Sequence, residues 1–229
     1  MNYICLTSIP SRFTNLIMLS HHINTLFKDQ FFMIKLYIPN KYLRFPNKYK
    51  IPNIKNIQVN ILDKDWGPST KFIGPLMDKN IKNEDNIFIT DDDVLKSSNW
   101  IKLSKDLIDK YPKSVIQLRV SSWENKPLQL KNIQIHGVSG FCFKKKILNN
   151  ETFYKFYNKL PKEFYFIDDD ILTFYLYKNN INIFMSDTVI SRKYLKQNDS
   201  LVGLNNNLNR SKLRVKASNY FNFNFLKLI

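Results

Sequence analysis

Two runs of three aspartates, Asp91-Asp92-Asp93 and Asp168-Asp169-Asp170, are the residues of this chain best suited to chemistry. The first follows Asn86-Ile87-Phe88-Ile89-Thr90, whose β-branched and aromatic side chains read as a short buried strand. An unpaired carboxylate is too costly to bury inside such a strand, so the triplet belongs at its carboxyl end, where an open α/β sheet gathers ligands. Carboxylates clustered there are hard oxygen ligands for Mg²⁺ or Mn²⁺ carrying a diphosphate. A solvated acidic turn would use the same residues. The second triplet follows Phe164-Tyr165-Phe166-Ile167, which reads as an aromatic strand, and precedes Ile171, Leu172, Tyr175 and Leu176, which read as a helix. Carboxylates at a helix amino end are favoured by its dipole. Capping needs one Asp there, and three exceed it.

These residues need a scaffold, and the hydrophobic pattern supplies one. Tyr3 to Leu6 reads as a first strand, and Thr7-Ser8-Ile9-Pro10-Ser11-Arg12 as a turn into a helix carrying Phe13, Leu16, Ile17, His21, Ile23 and Leu26. A turn of this kind offers free N–H groups to an anion. Phe31 to Ile38 and Asn56 to Leu62 read as strands, joined by an irregular stretch from Lys41 to Pro52. Asp65-Trp66-Gly67-Pro68-Ser69-Thr70-Lys71 then enters a helix, with Pro68 at a position that suits its first turn. Trp100 to Tyr111 predicts a helix and Ser114 to Val120 a strand. Ile133 to His136 predicts a short strand, and His136-Gly137-Val138-Ser139-Gly140 a turn before a strand at Phe141 to Phe143. A helix over Asn149 to Leu160 and a strand over Ile181 to Met185 follow. The order predicts an α/β fold with a mixed, mostly parallel central sheet flanked by helices.

Length and composition bound the reading. The 229 residues fit one domain. It divides into stretches of about 1–120 and about 121–190 and a basic, Asn-rich C-terminal segment (about 191–229). That last segment, with Arg210, Lys212, Arg214 and Lys216 at alternate positions, is expected to be mobile or to fold over a bound diphosphate. Lys and Arg number 35 against 19 Asp and Glu, an excess that invites an anionic partner. The lysines are spread along a Lys-, Asn- and Ile-rich chain rather than gathered in one block, so no specific nucleic acid is expected. Cys5 and Cys142 lie in apolar runs and read as buried thiols of a reducing compartment. No leader or bilayer-spanning stretch is evident, which predicts a cytoplasmic protein. Three Asn-x-Ser/Thr matches begin at Asn150, Asn198 and Asn209, and read as chance occurrences.

Four pieces recur in order: the Thr-Ser-Ile-Pro-Ser-Arg turn, Asp-Trp-Gly-Pro-Ser-Thr-Lys, strand-Asp-Asp-Asp, and Asp-Asp-Asp opening a late helix. The set, spanning Tyr3 to Met185, resembles the GT-A nucleotide-sugar glycosyltransferases. In particular it is similar to the small enzymes of large DNA viruses, of the rhamnosyltransferase-domain type, which would place it in a host cytoplasm. The resemblance implies a UDP-sugar donor, a Mn²⁺ or Mg²⁺ cofactor and a glycan or other hydroxyl acceptor. It implies that Asp93 is the metal ligand and that Asp91 contacts the ribose or the metal's water shell, with Asp92 reaching the donor sugar. Thr7, Ile9 and Arg12 would border the nucleotide. Asp65 would hold the base and Lys71 the phosphates, while Gly137 and Ser139 belong to a segment that approaches the donor sugar. Trp66 is equally suited to core packing. In an inverting member the late acidic helix start carries the general base, which favours Asp169, with Asp170 next and Asp168 beside them. No histidine follows His136, so a C-terminal histidine ligand is absent.

Two other classes fit parts of this pattern. A metal-dependent phosphoryl transferase or nuclease would use both triplets around two ions. A non-catalytic basic module would bind RNA or anionic glycans without needing the aspartates. The sequence leaves the oligomeric state open.

Overall fold

A computed structural model describes residues 1–26, 31–47, 49–120, 134–196, 198–199 and 209–223. Its elements, in chain order, are β1 (Asn2–Leu6), α1 (Phe13–Leu26), β2 (Met33–Pro39), β3 (Ile57–Leu62), α2 (Thr70–Met77), β4 (Asn86–Ile89), β5 (Val94–Lys96), α3 (Trp100–Lys110), β6 (Ser114–Val120), β7 (Phe141–Lys144), α4 (Glu151–Asn158), α5 (Asp168–Lys178), β8 (Asn182–Ile190), β9 (Arg192–Tyr194) and α6 (Arg210–Phe221).

The strands alternate between two apolar faces, and this alternation dictates the layers. Tyr3 and Cys5 of β1 join one buried cluster with Ile87, Ile89, Phe141 and Phe143, while Ile4 and Leu6 join another with Phe88, Ile116 and Cys142. With both faces apolar, the sheet must be covered on both sides. Helices α2, α4, α5 and α6 cover the first face. Helices α1 and α3 cover the second through Leu16, Leu19, Ile23, Trp100, Ile101 and Ile108. Ile17, placed on the apolar side of α1 by its spacing, instead points outward. The two cysteines are buried free thiols on opposite faces.

The result is a seven-stranded sheet in the order β3-β2-β1-β4-β7-β6-β8, with a separate β5-β9 ribbon. Strands β3, β2, β1 and β4 run parallel, as do β6 and β8, whereas β7 is antiparallel to both its neighbours. This is the mixed, mostly parallel α/β sheet that the pattern predicts.

Three local readings need correction. Residues 134–136 form no strand, because the amides of Ile135 and His136 donate to Thr173 Oγ1 and Gln117 Oε1 rather than to a neighbouring strand; Ile133 lies outside the described residues. Lys162–Ile167 is a 3₁₀ helix, not a strand, burying Phe164, Tyr165 and Ile167 in one turn. The C-terminal segment contains a helix, since Leu213, Ala217 and Phe221 recur at helical spacing and pack into the first core. Asn150 and Asn209, each opening a glycosylation-like triplet, are the N-caps of α4 and α6.

Candidate active site

Parallel pairing sets Cys5 beside Ile89, so β1 and β4 end together and deliver Thr7 and the first triplet to one sheet edge. There they open on a cavity of about 410 Å³. Thr7, Ile9 and Arg12 line it, and so do Asp91, Asp92 and Asp93. Ser8 Oγ donates to Asp92 Oδ2 at 2.5 Å, and Arg12 Nη1 lies 3.0 Å from Asp92 Oδ1 and 3.1 Å from Asp93 Oδ2. The chain after β9 is tied across this wall: the Leu195 amide donates to the Asp93 carbonyl at 2.7 Å, and Arg12 Nε donates to the Asn198 carbonyl at 2.7 Å.

The Asp65–Lys71 segment forms the floor. Asp65 accepts from the amides of Leu43 and Gly67, each at 2.7 Å, which pins the loop while its carboxylate faces the cavity. Gly67 takes φ +57°, a left-handed conformation that suits glycine. Trp66 belongs to the core and sits against Tyr165 with ring centroids 5.5 Å apart. A 3₁₀ turn at Gly67–Ser69 runs into α2 and carries Lys71 inward, where its side chain is almost wholly buried.

The second triplet fills the first turn of α5, yet the helix makes no side-chain cap. Its three carboxylates turn elsewhere. Asp168 lies 2.8 Å from Lys71 Nζ, and Asp169 lies 3.6 Å from it. Asp91 of the first triplet accepts from the same ammonium at 2.9 Å. Lys71 therefore joins the two triplets. Asp170, fully buried, takes Arg214 Nε at 3.0 Å and Gln134 Nε2 at 2.5 Å. Asp169 is the most open of the three, with 14% of its side chain exposed against 5% for Asp168 and none for Asp170.

Gly137 and Ser139 behave differently. The Gly137 amide donates to Asp169, and a Cβ there would stand 2.3 Å from Lys71 Nζ and 2.7 Å from Asp91 Oδ1. A side chain at this position would therefore push the Lys71 ammonium or the Asp91 carboxylate aside. Ser139 is fully buried in the turn and does not line the cavity. Gly137 likewise contributes no lining atoms, so both reach the site through the turn that holds Asp169.

Other wall residues come from segments spread along the chain. Ser8, Tyr42, Arg44, Phe45, Phe166 and Tyr194 reach the site from turns and strands whose convergence is a long-range matter. Arg210 and Arg214 do so from α6, one turn apart, while Lys212 points to solvent. Their alternation in sequence becomes a split between faces on a helix.

Burial and charge set the protonation states. Burial pushes Asp92 up to about 6, aided by Asp93 and Asp91 and opposed by Arg12 and Ser8. Burial, then the charge of Asp169, pushes Asp168 up to about 6 against the pull of Lys71. Asp169 and Asp170 are also raised, mainly by burial. At Asp91 burial works upward, but Lys71 prevails and holds the carboxyl below its usual range. Burial would lower the Lys71 ammonium, yet the carboxylates of Asp168, Asp91 and Asp169 keep it charged. His136 is depressed to about 3 by burial and by Arg214 and Arg210, and is neutral.

The donor set fits a divalent ion of a particular kind. Asp91 and Asp93 place hard carboxylate oxygens on the cavity wall, but among the described residues no three His, Cys, Asp or Glu side chains form a closed ligand group. One or two carboxylates are what Mg²⁺ or Mn²⁺ takes from a protein when water and phosphate complete its shell. No described helix is long and apolar enough to cross a membrane.

No family model and no curated protein matches the sequence. Solved structures resemble the fold. A mannosyltransferase from Pyrobaculum calidifontis, in complex with GDP-Man and Mn²⁺, matches with a TM-score of 0.55 at 10% identity, over 87% of this chain and 58% of that one. S. aureus TarS in complex with UDP matches at 0.50 and 14%, over 83% and 59%. The galactosyltransferase LgtC, with donor and acceptor sugar analogues, matches at 0.50 and 12%, over 81% and 73%. The chain thus spans about three-fifths of the length of the first two. These neighbours are glycosyltransferases of the GT-A class, and the chain has the GT-A fold.

Proposed function

We propose that the protein transfers a sugar from a nucleotide diphosphate donor, a UDP-sugar, to a hydroxyl acceptor such as a glycan, with inversion. The observation that carries this is the convergence of both acidic triplets on one cavity, with Asp169 the open member of the second. Two neighbouring structures hold UDP or GDP-Man, which supports a nucleotide donor, and its nucleotide end is assigned here to Thr7, Ile9 and Asp65 on the cavity wall.

Asp169 takes the proton of the acceptor hydroxyl as that oxygen attacks the anomeric carbon. The carbon–oxygen bond to the diphosphate breaks on the opposite face, and its electron pair leaves with the diphosphate. Arg12, on the first wall, steadies Asp92 and Asp93 beside the leaving group. Asp91 and Asp93 would hold Mg²⁺ or Mn²⁺, which supplies charge neutralisation for the diphosphate as a Lewis acid. Charge supports this: seven Asp but only five Arg and Lys line the cavity, so a polyanionic donor gains from arriving with a divalent cation.

Calorimetry of UDP binding with and without Mn²⁺ tests the reading. Wild type should bind in the presence of the ion, and Asp93→Ala should lose that metal-dependent affinity. UDP binding that is indifferent to a chelator and to Asp93→Ala would overturn the metal-dependent donor site.

A further inference from the structure

Lys71 stands where the two triplets meet, with its side chain only 4% exposed. Its Nζ lies 2.9 Å from Asp91 Oδ1, 2.8 Å from Asp168 Oδ2 and 3.6 Å from Asp169 Oδ1. An ammonium has three N–H donors and no acceptor, and here three carboxylates face it. Lys71 also lines the cavity, yet each of its ionic partners is a carboxylate of the chain. Burying it is costly without such partners. The site is also built to admit it, because the Gly137 backbone passes so close that a Cβ would stand 2.3 Å from Nζ.

The partners divide by wall. Asp91 belongs to the edge after β4, and Asp168 and Asp169 belong to the start of α5. Asp168 is nearly closed off from the cavity, while Asp91 and Asp169 keep 28% and 14% of their side chains exposed. Asp168 thus anchors the ammonium, and the other two remain available to a ligand.

We propose that Lys71 is a positioning residue, an internal cation that sets the spacing between Asp91 and Asp169 and is itself anchored by Asp168. The naming of Asp169 as base rests on the glycosyltransfer reading above; the clamp rests on the geometry. One consequence is a competition. A divalent ion at Asp91 shares that carboxylate with a neighbouring ammonium, so Lys71 weakens ion binding to the free protein while holding the base in place.

Mn²⁺ alone is the first probe, its binding followed by electron paramagnetic resonance in wild type and Lys71→Met, which keeps the length and removes the charge. Affinity for Mn²⁺ should rise about tenfold as the competing cation is lost. With a nucleotide sugar, kcat should fall about 10–100-fold, the scale for lost positioning partners, while KM for the donor moves by less than about threefold. Lys71→Arg, which keeps the charge but not the shape, should return Mn²⁺ affinity to the wild-type value and leave kcat low. A lysine that grips the donor phosphates would give the reverse split, with KM raised about tenfold or more and Mn²⁺ affinity unchanged, and that result overturns the clamp. Should Lys71→Met fail to fold, Asp168→Asn removes the anchor from the other side, and a normal kcat in that variant overturns the proposal. If wild type transfers no sugar, the glycosyltransfer reading fails alone. The Mn²⁺ titration still decides the clamp, and equal affinity in wild type and Lys71→Met rejects it.

Discussion

The backbone amide of Gly137 donates to both carboxylate oxygens of Asp169, at 3.1 and 3.2 Å. A side chain at the start of a helix is thereby aimed by a turn that precedes β7, far from it in sequence. The same turn is tied down elsewhere: Lys96 Nζ donates to the Val138 carbonyl at 2.5 Å, and the Gly140 amide donates to the carbonyl of Gly137 at 2.9 Å. Asp169 is therefore held through both its oxygens while it lines the cavity.

The first prediction concerns that carboxylate. Asp169→Asn should leave UDP affinity nearly intact and lower sugar transfer by ~10²–10⁴-fold, the usual scale for a general base. Asp170→Asn should cost less catalytically, because Asp170 is closed off beneath Arg214 and Gln134. Initial rates beside calorimetric UDP binding check both. A normal rate in Asp169→Asn, or retention of anomeric configuration, would remove the base from this residue.

Gly137→Ala is expected to keep the fold and damage the site. The added Cβ would sit 2.3 Å from Lys71 Nζ and 2.7 Å from Asp91 Oδ1, so the ammonium must move away from carboxylates that hold it. Transfer should drop by about 10–100-fold, as for other misplacements of a positioned group. Far-ultraviolet circular dichroism should stay that of wild type. Full activity would mean that the cluster relaxes at no cost.

Removing Arg214 should hurt stability as well as the site. Asp170 is wholly buried and relies on Arg214 Nε at 3.0 Å, with Gln134 as its second partner. Taking away one member of a buried pair leaves a charge without compensation, at a cost of about 3–5 kcal/mol. Arg214 is 19% exposed, so the lower end of that range applies. Urea unfolding of Arg214→Gln, Asp170→Asn and the double variant should show the single Arg214 change as the most damaging, with the double variant partly restored.

What could be read from the sequence was what local chemistry fixes. Strand β4 running into three aspartates, the Pro68 turn into α2 and the acidic start of α5 each declare themselves within a few residues. The meeting of the two triplets did not, because it depends on β1 and β4 ending together and on α5 packing over the same face. Lys71 was legible as a helix lysine beside an anion site, but its three carboxylate partners come from two distant segments. The aromatic run before Asp168 read as a strand because it lacks polar alternation; a 3₁₀ helix buries such a run as well. Helix α6 was hidden by its basic residues, although Leu213, Ala217 and Phe221 carried the helical spacing that seats it on Phe156, Phe164 and Phe174.

The last prediction is a pH dependence of stability. Asp92 is buried, and its carboxyl is pushed up to about 6, chiefly by burial and further by Asp93 and Asp91, despite Arg12 and Ser8. The folded state thus holds this proton more tightly than the unfolded chain, whose carboxyl sits at the ordinary value of about 3.9. Between those two pH values the native state binds more protons, so stability falls as pH rises. The contribution is complete below about pH 4 and is lost as pH climbs through about 6. Asparagine mimics the protonated carboxyl and cannot ionise. Arg12 keeps Asp93 as a partner in the variant, so Asp92→Asn does not strand the guanidinium. Asp92→Asn should therefore gain thermal stability relative to wild type when both are moved from pH 4.5 to pH 7.5, a window set by the ordinary and raised values of this carboxyl. Melting temperatures of the two proteins across that range check the sign. A difference that stays constant, or one that shifts toward wild type at the higher pH, would show that Asp92 is already ionised in the acid range and that Arg12 and Ser8 outweigh its burial.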